Sequence, residues 1–183
     1  MQKIDTFKLK DGRVVDIVLP SMQAVKAVTD FVNKLSREDT YLSFAGEEYS
    51  LAYEKNWLKN VLVKIKFKKM YLIWVVYDGQ IVGSCDLDMG LSRRNHIATI
   101  GLMVDEDFRR QGLGKYLMES ILKKAREMGF KIVKLDVFDD NIAGKALYEK
   151  LGFIECGRIP NGLFRKGNYV DDVWLYKNLE EAK

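Results

Sequence analysis

The sequence predicts a single α/β (α+β) domain, residues 1–183, in which helices flank a mixed sheet. Asp-Gly pairs at Asp11-Gly12 and Asp78-Gly79 predict two hairpins and hence antiparallel strands. Further along, two strand-like segments are joined by a whole helix, and such a connection makes them parallel neighbours. A chain of 183 residues is long enough for one sizeable core and too short for two ordinary domains.

The N-terminal half is predicted to hold two hairpins separated by two helices. The first helix is supported by apolar residues that recur at helical spacing, namely Val25, Val28, Phe31, Val32 and Leu35. The predicted elements are strands at Thr6–Lys10 and Arg13–Leu19, a helix that begins at Pro20-Ser21, a helix from about Glu47 to Val63, and strands at Met70–Tyr77 and Gln80–Met89. We expect the first hairpin to form an edge of the sheet.

The C-terminal half is predicted to contain the β-α-β unit and a closing hairpin. The helix of that unit carries an apolar stripe that should pack on the sheet, formed by Leu117, Met118, Ile121, Leu122 and Ala125. The predicted elements are a strand at Ile97–Val104, a helix at Lys115–Met128, a strand at Lys131–Phe138, a short helix at Asn141–Lys150, and strands at Phe153–Ile159 and Tyr169–Tyr176. A turn at Lys166-Gly167-Asn168 joins the last two strands.

The composition is typical of a folded cytoplasmic protein. Apolar residues make up 48% of the chain and charged residues 31%. The apolar run Met70–Tyr77 is far shorter than the roughly 20 residues of a membrane span, and Met1–Asp5 lacks the apolar core of a signal peptide. We therefore expect no membrane partner.

Nucleic acids and metal ions are not expected partners either. The net charge is only +4, because 30 basic residues are nearly matched by 26 acidic ones. The basic segment Lys64–Lys69 alternates with apolar residues, as the solvated end of a helix or strand does.

Cys85 and Cys156 stand alone in apolar surroundings and are interpreted as small buried residues. With His96 as the single histidine, a zinc site has almost nothing to be built from.

The most informative stretch is the turn that follows the strand at Ile97–Val104. It reads Arg109-Arg110-Gln111-Gly112-Leu113-Gly114 and opens the next helix. Two glycines let the backbone approach a ligand closely, and the unpaired N–H groups of the first helical turn converge on one point. The helix dipole favours an anion there, and Arg109, Arg110 and Lys115 add positive charge. The context predicts a phosphate-binding turn, although a plain strand-to-helix turn has the same spacing.

Two segments resemble, in order, the motifs of the GNAT superfamily of acetyl-CoA-dependent N-acetyltransferases. Arg109–Gly114 matches the Gln/Arg-x-x-Gly-x-Gly/Ala signature, and Asn141 with Ala146–Phe153 matches the second motif. The resemblance spans about Asp5 to Leu179 and is sharpest over residues 97–153. It implies a mostly antiparallel sheet of about seven strands with about four helices, in which a central parallel pair is splayed to hold acetyl-CoA.

The resemblance also implies a role for each matched residue. Leu102, Met103 and Val104 would offer backbone groups to the pantetheine arm of acetyl-CoA, as a partner strand would. The diphosphate would be bound by the amides of Arg110, Gln111, Gly112, Leu113, Gly114 and Lys115, with Arg109 beside them. Asn141 would hydrogen-bond the pantetheine. Tyr148 would be the general acid for the leaving thiolate, because the pKa of a phenol, about 10, lies just above that of a thiol, about 8.5.

The implied reaction is attack of a primary amine on the thioester carbonyl, polarised by a backbone N–H near Met103. Only about one lysine-like amine in a thousand is unprotonated at neutral pH, so a base or a desolvated pocket is needed. Many relatives carry a glutamate on the strand equivalent to Ile97–Met103, which has no useful ionisable group here. The candidates for the base are His96, Asp86 or Asp88, and Glu47 or Glu48 at the predicted helix start. We assign His96 a catalytic role from its unperturbed pKa of about 6.5, with a bystander imidazole as the alternative.

The acceptor site is expected beside the first two helices, since in this family they and their connection form one wall of it. Tyr41, Phe44 and Glu47 are assigned to that wall, with a place in the hydrophobic underside of the helices as the alternative for the aromatic pair. The expected acceptor is a small-molecule amine, a polyamine, or a protein N-terminus or lysine. The alternative function is a non-catalytic acyl-CoA-binding sensor or interaction module. Edge strands at both ends favour a homodimer.

Overall fold

One eight-stranded sheet runs through the computed structural model of the protein, which describes residues 1–44 and 46–180. The strands are β1 (Gln2–Lys8), β2 (Val14–Leu19), β3 (Met70–Tyr77), β4 (Gln80–Met89), β5 (Ile97–Val104), β6 (Ile132–Phe138), β7 (Ile154–Arg165) and β8 (Asn168–Asn178). The helices of these described ranges are α1 (Val25–Arg37), α2 (Leu51–Lys66), α3 (Leu113–Glu127) and α4 (Ile142–Lys150). The predicted mixed fold and its central β-α-β unit are confirmed.

The strand order is β1-β2-β3-β4-β5-β6-β8-β7, so the first hairpin lies at one edge and β7 at the other. Every neighbouring pair is antiparallel except β5 and β6, which α3 connects. A parallel pair needs a long crossover, and the helix provides it. The single parallel pair therefore lies inside an otherwise antiparallel sheet.

Two hydrophobic cores cover opposite faces of the sheet, because side chains alternate along each strand. The face under α3 and α4, called here the α3 face, receives Cys85 and Leu87 of β4. The face under α1 and α2, called here the α1/α2 face, receives Leu72 and Trp74 of β3. Asp86 lies between the two α3-face residues of β4 and so belongs to the α1/α2 face.

The second helix begins later than predicted, and the expected start at Glu47 is wrong. Ser50 is the N-cap, and its hydroxyl accepts a hydrogen bond of 3.2 Å from the Tyr53 N–H. Asn33 of α1 holds the preceding segment in a non-helical conformation, since its amide bonds both the N–H (2.7 Å) and the carbonyl oxygen (2.9 Å) of Tyr49. Glu47 therefore lies in the α1–α2 connection.

Cys156 is exposed, which corrects its interpretation as a buried residue, whereas Cys85 is buried as expected. Cys156 is not buried because it lies on β7, an edge strand whose side chains are mostly exposed to solvent. The basic segment Lys64–Lys69 forms the solvated end of α2, as predicted. Among the described residues, no helix is both long and apolar enough to cross a membrane.

Candidate active site

The candidate active site lies where β5 and β6 separate. The two strands pair at only three positions, which end at Thr99 and Lys134. Beyond them, β5 stays paired with β4 as far as Val104, while β6 stays paired with β8 as far as Phe138. The side of β5 that faces this gap therefore carries peptide groups without a strand partner.

The alternation of hydrogen bonds in the β4–β5 ladder decides which peptide groups face the gap. Just past the end of β5, the Asp105 N–H donates to the Val82 carbonyl at 3.0 Å. Bonded pairs recur at every second residue of an antiparallel ladder, so the N–H and C=O of Met103 point towards β4. Those of Leu102 and Ile100 point into the gap. The N–H groups near Met103 that do not face β4 are therefore those of Leu102 and Val104.

The glycine turn has the geometry of an anion cradle. Gly112 is the N-cap of α3 with φ +86°, a conformation that L side chains rarely adopt. The first N–H groups of α3, those of Leu113, Gly114 and Lys115, have no acceptor within the helix. A Cβ on Gly114 would meet Leu147 at 3.6 Å, an ordinary contact, so the second glycine position also accommodates alanine. The predicted phosphate-binding turn therefore has free amides at its helix end.

The β1–β2 hairpin packs against this turn, a contact that sequence reasoning missed. The Asp11 N–H donates to the Gln111 side chain at 3.2 Å, and the Lys10 N–H donates to the Gln111 carbonyl at 3.4 Å. Phe7 lies within 3.6 Å of the position that a Gly112 Cβ would take. The hairpin thereby brings Lys10 beside the cradle. These residues are about a hundred positions apart in the chain, so no local pattern signals the contact.

Arg109 supports the turn from behind. Its Nε donates to the Val104 carbonyl at 2.8 Å, and its Nη2 pairs with Glu38 at the end of α1. Arg109 pairs with neither of the nearby carboxylates Asp105 and Asp107, because Lys34 takes both, at 2.7 and 3.2 Å. The arrangement gives Arg109 a positioning role at the end of β5.

Replacing Arg109 with glutamine should lower the free energy of unfolding by about 2 kcal/mol, because the largely buried Glu38 carboxylate then loses its partner. One carboxylate oxygen of Glu38 has no hydrogen-bond partner among the described residues even in the intact protein, so the carboxylate has no second contact that offsets the loss of Arg109. Urea denaturation of Arg109→Gln, Glu38→Gln and the double variant would measure the coupling. Strictly additive losses would contradict this pairing.

Asn141 caps α4 and borders the same gap. Its side-chain oxygen accepts the Gly144 N–H at 2.9 Å, which leaves the side-chain amide as its only donor for a ligand. The close approach depends on Gly144, since a Cβ there would lie 2.6 Å from the Asn141 nitrogen. Asn141 is therefore held rigidly at the mouth of the gap.

Tyr148 points from α4 into the α3-face core. Its ring packs on Phe153 with centroids 6.0 Å apart, and its hydroxyl has no hydrogen-bond partner among the described residues. Burial, and more weakly the charges of Cys85 and Asp136, raise the pKa of Tyr148 well above its ordinary value. Cys85 is opposite Leu102 in the ladder, so the phenol lies level with the peptide that faces the gap. The Tyr148 hydroxyl is therefore a neutral proton donor, without a partner among the described residues, at the level of the Leu102 peptide.

The structure does not bring His96 to this point. His96 precedes Leu102 by six residues, about 20 Å at the rise of an extended strand. Its carbonyl accepts the Lys131 N–H at 2.9 Å, at the closed end of the parallel pair. Within the described ranges, no cluster of three or more His, Cys, Asp or Glu side chains could hold a metal ion.

Two carboxylates of β4 lie nearer than His96 to the Leu102 peptide. Asp88 forms an ion pair with Lys64 of α2 at 2.6 Å. Asp86, opposite Gly101 of β5, has no hydrogen bond or ion pair among the described residues. Burial raises the pKa of Asp86 to about 6, with a further contribution from Asp88 and an opposing one from Lys64.

Tyr41 places the α1–α2 connection over the open end of β6. Its hydroxyl donates to the Asp140 carbonyl at 3.3 Å, and its ring meets Phe138 edge-on with centroids 5.8 Å apart. The Arg165 guanidinium lies 4.1 Å from the centre of that ring. Phe44, by contrast, packs into the α1/α2 core beside Tyr49, as its alternative assignment expected. Glu47 is exposed on the same connection.

Comparison with known proteins identifies relatives of this architecture. A family model described as the acetyltransferase (GNAT) family matches residues 30–153. Human N-acetyltransferase 8 is 33% identical over 78 residues, which cover 43% of this chain and 34% of that protein. The L-amino acid N-acetyltransferase AaaT of Escherichia coli K12 is 30% identical over 100 residues, which cover 54% of this chain and 62% of AaaT. The chain thus spans less than two thirds of the length of either protein.

A solved structure shows the same fold. The yncA protein of Salmonella typhimurium, determined with its cofactor acetyl-CoA, matches with a TM-score of 0.78. The match covers 92% of this chain and 96% of that one at 15% sequence identity. At that identity the likeness extends to the fold alone.

Proposed function

This chain belongs to the acetyltransferase (GNAT) family, and we propose that it is an N-acetyltransferase that transfers the acetyl group of acetyl-CoA to a primary amine. The observation that carries the proposal is the meeting of three features at one gap. They are the unpaired peptide edge of β5, the amide cradle at Gly112 and the unpartnered phenol of Tyr148.

The cradle and the gap fit the two ends of coenzyme A. Amides and the helix dipole at the start of α3 favour a diphosphate, while Lys10, Arg110 and Lys115 add positive charge nearby. The peptide groups of Ile100 and Leu102 can pair with the amides of a pantetheine arm as a neighbouring strand would. Asn141 can donate its side-chain amide to the same arm. The acetyl-CoA bound to the Salmonella protein of the same fold supports this assignment.

The chemistry requires two proton transfers. The amine nitrogen forms a bond to the acetyl carbon, the carbon–sulfur bond breaks, and the amine gives up a proton while the thiolate takes one. Tyr148 is the donor to the thiolate. Burial raises the pKa of its phenol well above the value that matches a thiol, but the same desolvation disfavours a thiolate formed beside it, so the sulfur also becomes a stronger proton acceptor. A peptide N–H at Leu102 or Val104 stabilises the oxyanion that forms on the acetyl group.

An amine panel tests the proposal. We expect thiol release from acetyl-CoA to depend on an added primary amine, and the panel would contain free amino acids, a diamine, and peptides with a free N-terminus or a lysine. The name of one relative, the L-amino acid N-acetyltransferase AaaT, supports testing amino acids first. Mass spectrometry should show one acetyl group on the amine for each thiol released.

If acetyl-CoA raises the melting temperature but no amine gives turnover, the non-catalytic acyl-CoA-binding module becomes the better assignment. If coenzyme A neither binds nor stabilises the protein, the cradle assignment is wrong. A cytoplasmic location and a homodimer stay predictions, and sedimentation of the purified chain would test the second.

A further inference from the structure

Asp86 occupies a particular position in the sheet. It lies opposite Gly101 in the β4–β5 ladder, one residue from the pair that Cys85 makes with Leu102. Cys85 faces the α3 core near Tyr148, so Asp86 faces the other side of the sheet at the same level. The phenol and this carboxyl therefore flank the same stretch of β5 from opposite faces.

Gly101 makes room for the carboxyl. A Cβ on Gly101 would lie 2.5 Å from Asp86 Oδ1 and 3.3 Å from its carboxyl carbon. The carboxyl therefore leans over β5, the strand that borders the gap, and it occupies the space that any other residue would fill. No positive φ requires a glycine here, so the close approach is the constraint that this position meets.

Among the described residues Asp86 forms no ion pair, although the charge of Lys64 acts on it and lowers its pKa. Lys64 of α2 is engaged by Asp88 at 2.6 Å. The register partner on β3 is Leu72, and the β5 neighbours on this face, Thr99 and Met103, carry no charge. The buried face of α1 has no charged residue, and that of α2 adds only Glu54, which has no charged group among the causes of its raised pKa.

We propose that Asp86 accepts one proton of the bound ammonium, directly or through one water molecule, an inference that rests on the proposed acetyl transfer. That transfer frees the nitrogen lone pair, which then forms the bond to the acetyl carbon. As the carbon–sulfur bond breaks, the sulfur takes a proton from Tyr148, and the second nitrogen proton replaces it on the tyrosine through solvent, so the net proton released is the one held by Asp86. Asp86 holds that proton on the α1/α2 face, while Tyr148 gives a different proton to the sulfur on the α3 face. The two transfers then occur on opposite sides of β5 and do not compete for one group.

Desolvation suits Asp86 to this task. A carboxylate whose pKa is raised to about 6 is still ionised at neutral pH, yet it is a better proton acceptor than an ordinary aspartate. Asp136 of β6 points to the same face from across the gap, but it is solvent-exposed, and hydration weakens a carboxylate as a base.

The dependence of kcat/KM on pH tests the proposal. Wild type should level off above the pKa of Asp86, near pH 6. Asp86→Asn should fall about a hundredfold at pH 7 and then recover about tenfold per pH unit, because it must bind the free amine that water has already deprotonated. The affinity for coenzyme A, measured by calorimetry, should not change.

Asp88→Asn is the matched control, since Asp88 lies two residues along the same strand and face. Asp88 raises the pKa of Asp86 and Lys64 lowers it, so removal of the Asp88 charge should move the wild-type inflection to lower pH. Most of the activity at pH 7 should remain. A merely structural role for Asp86 would not produce that displacement.

Gly101→Ala provides a second variant that keeps the carboxylate but displaces it. Because the obstructed atoms belong to the end of a side chain, we expect a small change in melting temperature and a fall in kcat of about tenfold or more.

Three results would overturn the proposal. The first is an active Asp86→Asn enzyme that keeps the wild-type pH profile. The second is removal of the inflection by Asp136→Asn or Glu54→Gln but not by Asp86→Asn. The third is an Asp86→Asn variant that loses activity equally at every pH while staying folded. Failure of the underlying acetyl transfer is distinguishable, because wild type itself would then be inactive with every amine.

Discussion

Replacing Tyr148 with phenylalanine is expected to lower kcat about a thousandfold while the KM for acetyl-CoA changes little. The ring would still pack on Phe153, so only the hydroxyl proposed to protonate the leaving sulfur is lost. Without a proton donor the thiolate must leave unprotonated. Steady-state kinetics on the best amine of the panel, with the melting temperature as a check of folding, would measure the effect.

Tyr116→Phe is the matched control for the loss of a tyrosine hydroxyl. The Tyr116 hydroxyl donates to Asp5 at 2.6 Å on the far side of α3, away from the gap. We expect its removal to leave kcat nearly unchanged. The acid role of Tyr148 would be abandoned if Tyr148→Phe and Tyr116→Phe had the same kcat. Burial raises the pKa of Tyr148, so its ionisation should not reduce wild-type kcat below about pH 10.

Replacing Gly112 with glutamate is expected to weaken coenzyme A binding about a thousandfold. A unit charge about 4 Å from a phosphate charge costs roughly 4 kcal/mol at the effective dielectric of a protein surface. The glutamate side chain would also occupy space beside the α3 amides that the diphosphate needs. The substitution also strains the backbone, because Gly112 has φ +86°. Calorimetry with coenzyme A would give the affinity.

Gly129→Glu separates the two effects of that substitution. Gly129 follows the other end of α3 with φ +82°, and a Cβ there would meet nothing within 4 Å. The two variants should therefore lose similar stability, on the order of 1 kcal/mol, while only Gly112→Glu loses affinity. Equal affinities for coenzyme A in both would refute the diphosphate site.

Most of the fold could be predicted because its signals are local. The Asp78-Gly79 turn, the apolar stripe of α3 and the helix between β5 and β6 each follow from short-range conformational preference or from periodicity. The start of α2 could not, because a side chain of α1 decides it. Asn33 bonds both backbone groups of Tyr49, and this contact stops the helix from extending back to Glu47.

The candidate site divides in the same way. The glycine cradle and the α4 positions of Asn141 and Tyr148 lie on contiguous motifs and could be read directly. The assignment of His96 could not be checked without the strand register. The register shows that the peptide facing the gap is that of Leu102, about 20 Å along the strand from His96. Arg109 likewise has its partner 71 residues away, at the C-cap of α1.

By itself, then, the sequence determined the conformations that neighbouring residues impose: where the chain turns, where α3 begins, and which backbone amides at its start are left without partners. The tertiary structure alone decided which charges meet and which carboxylate of β4 forms no ion pair among the described residues. The distinction between Asp86 and Asp88 illustrates the reason. The two residues share a strand and a face, and only the packing of Lys64 against one, and of Gly101 beneath the other, makes them chemically different.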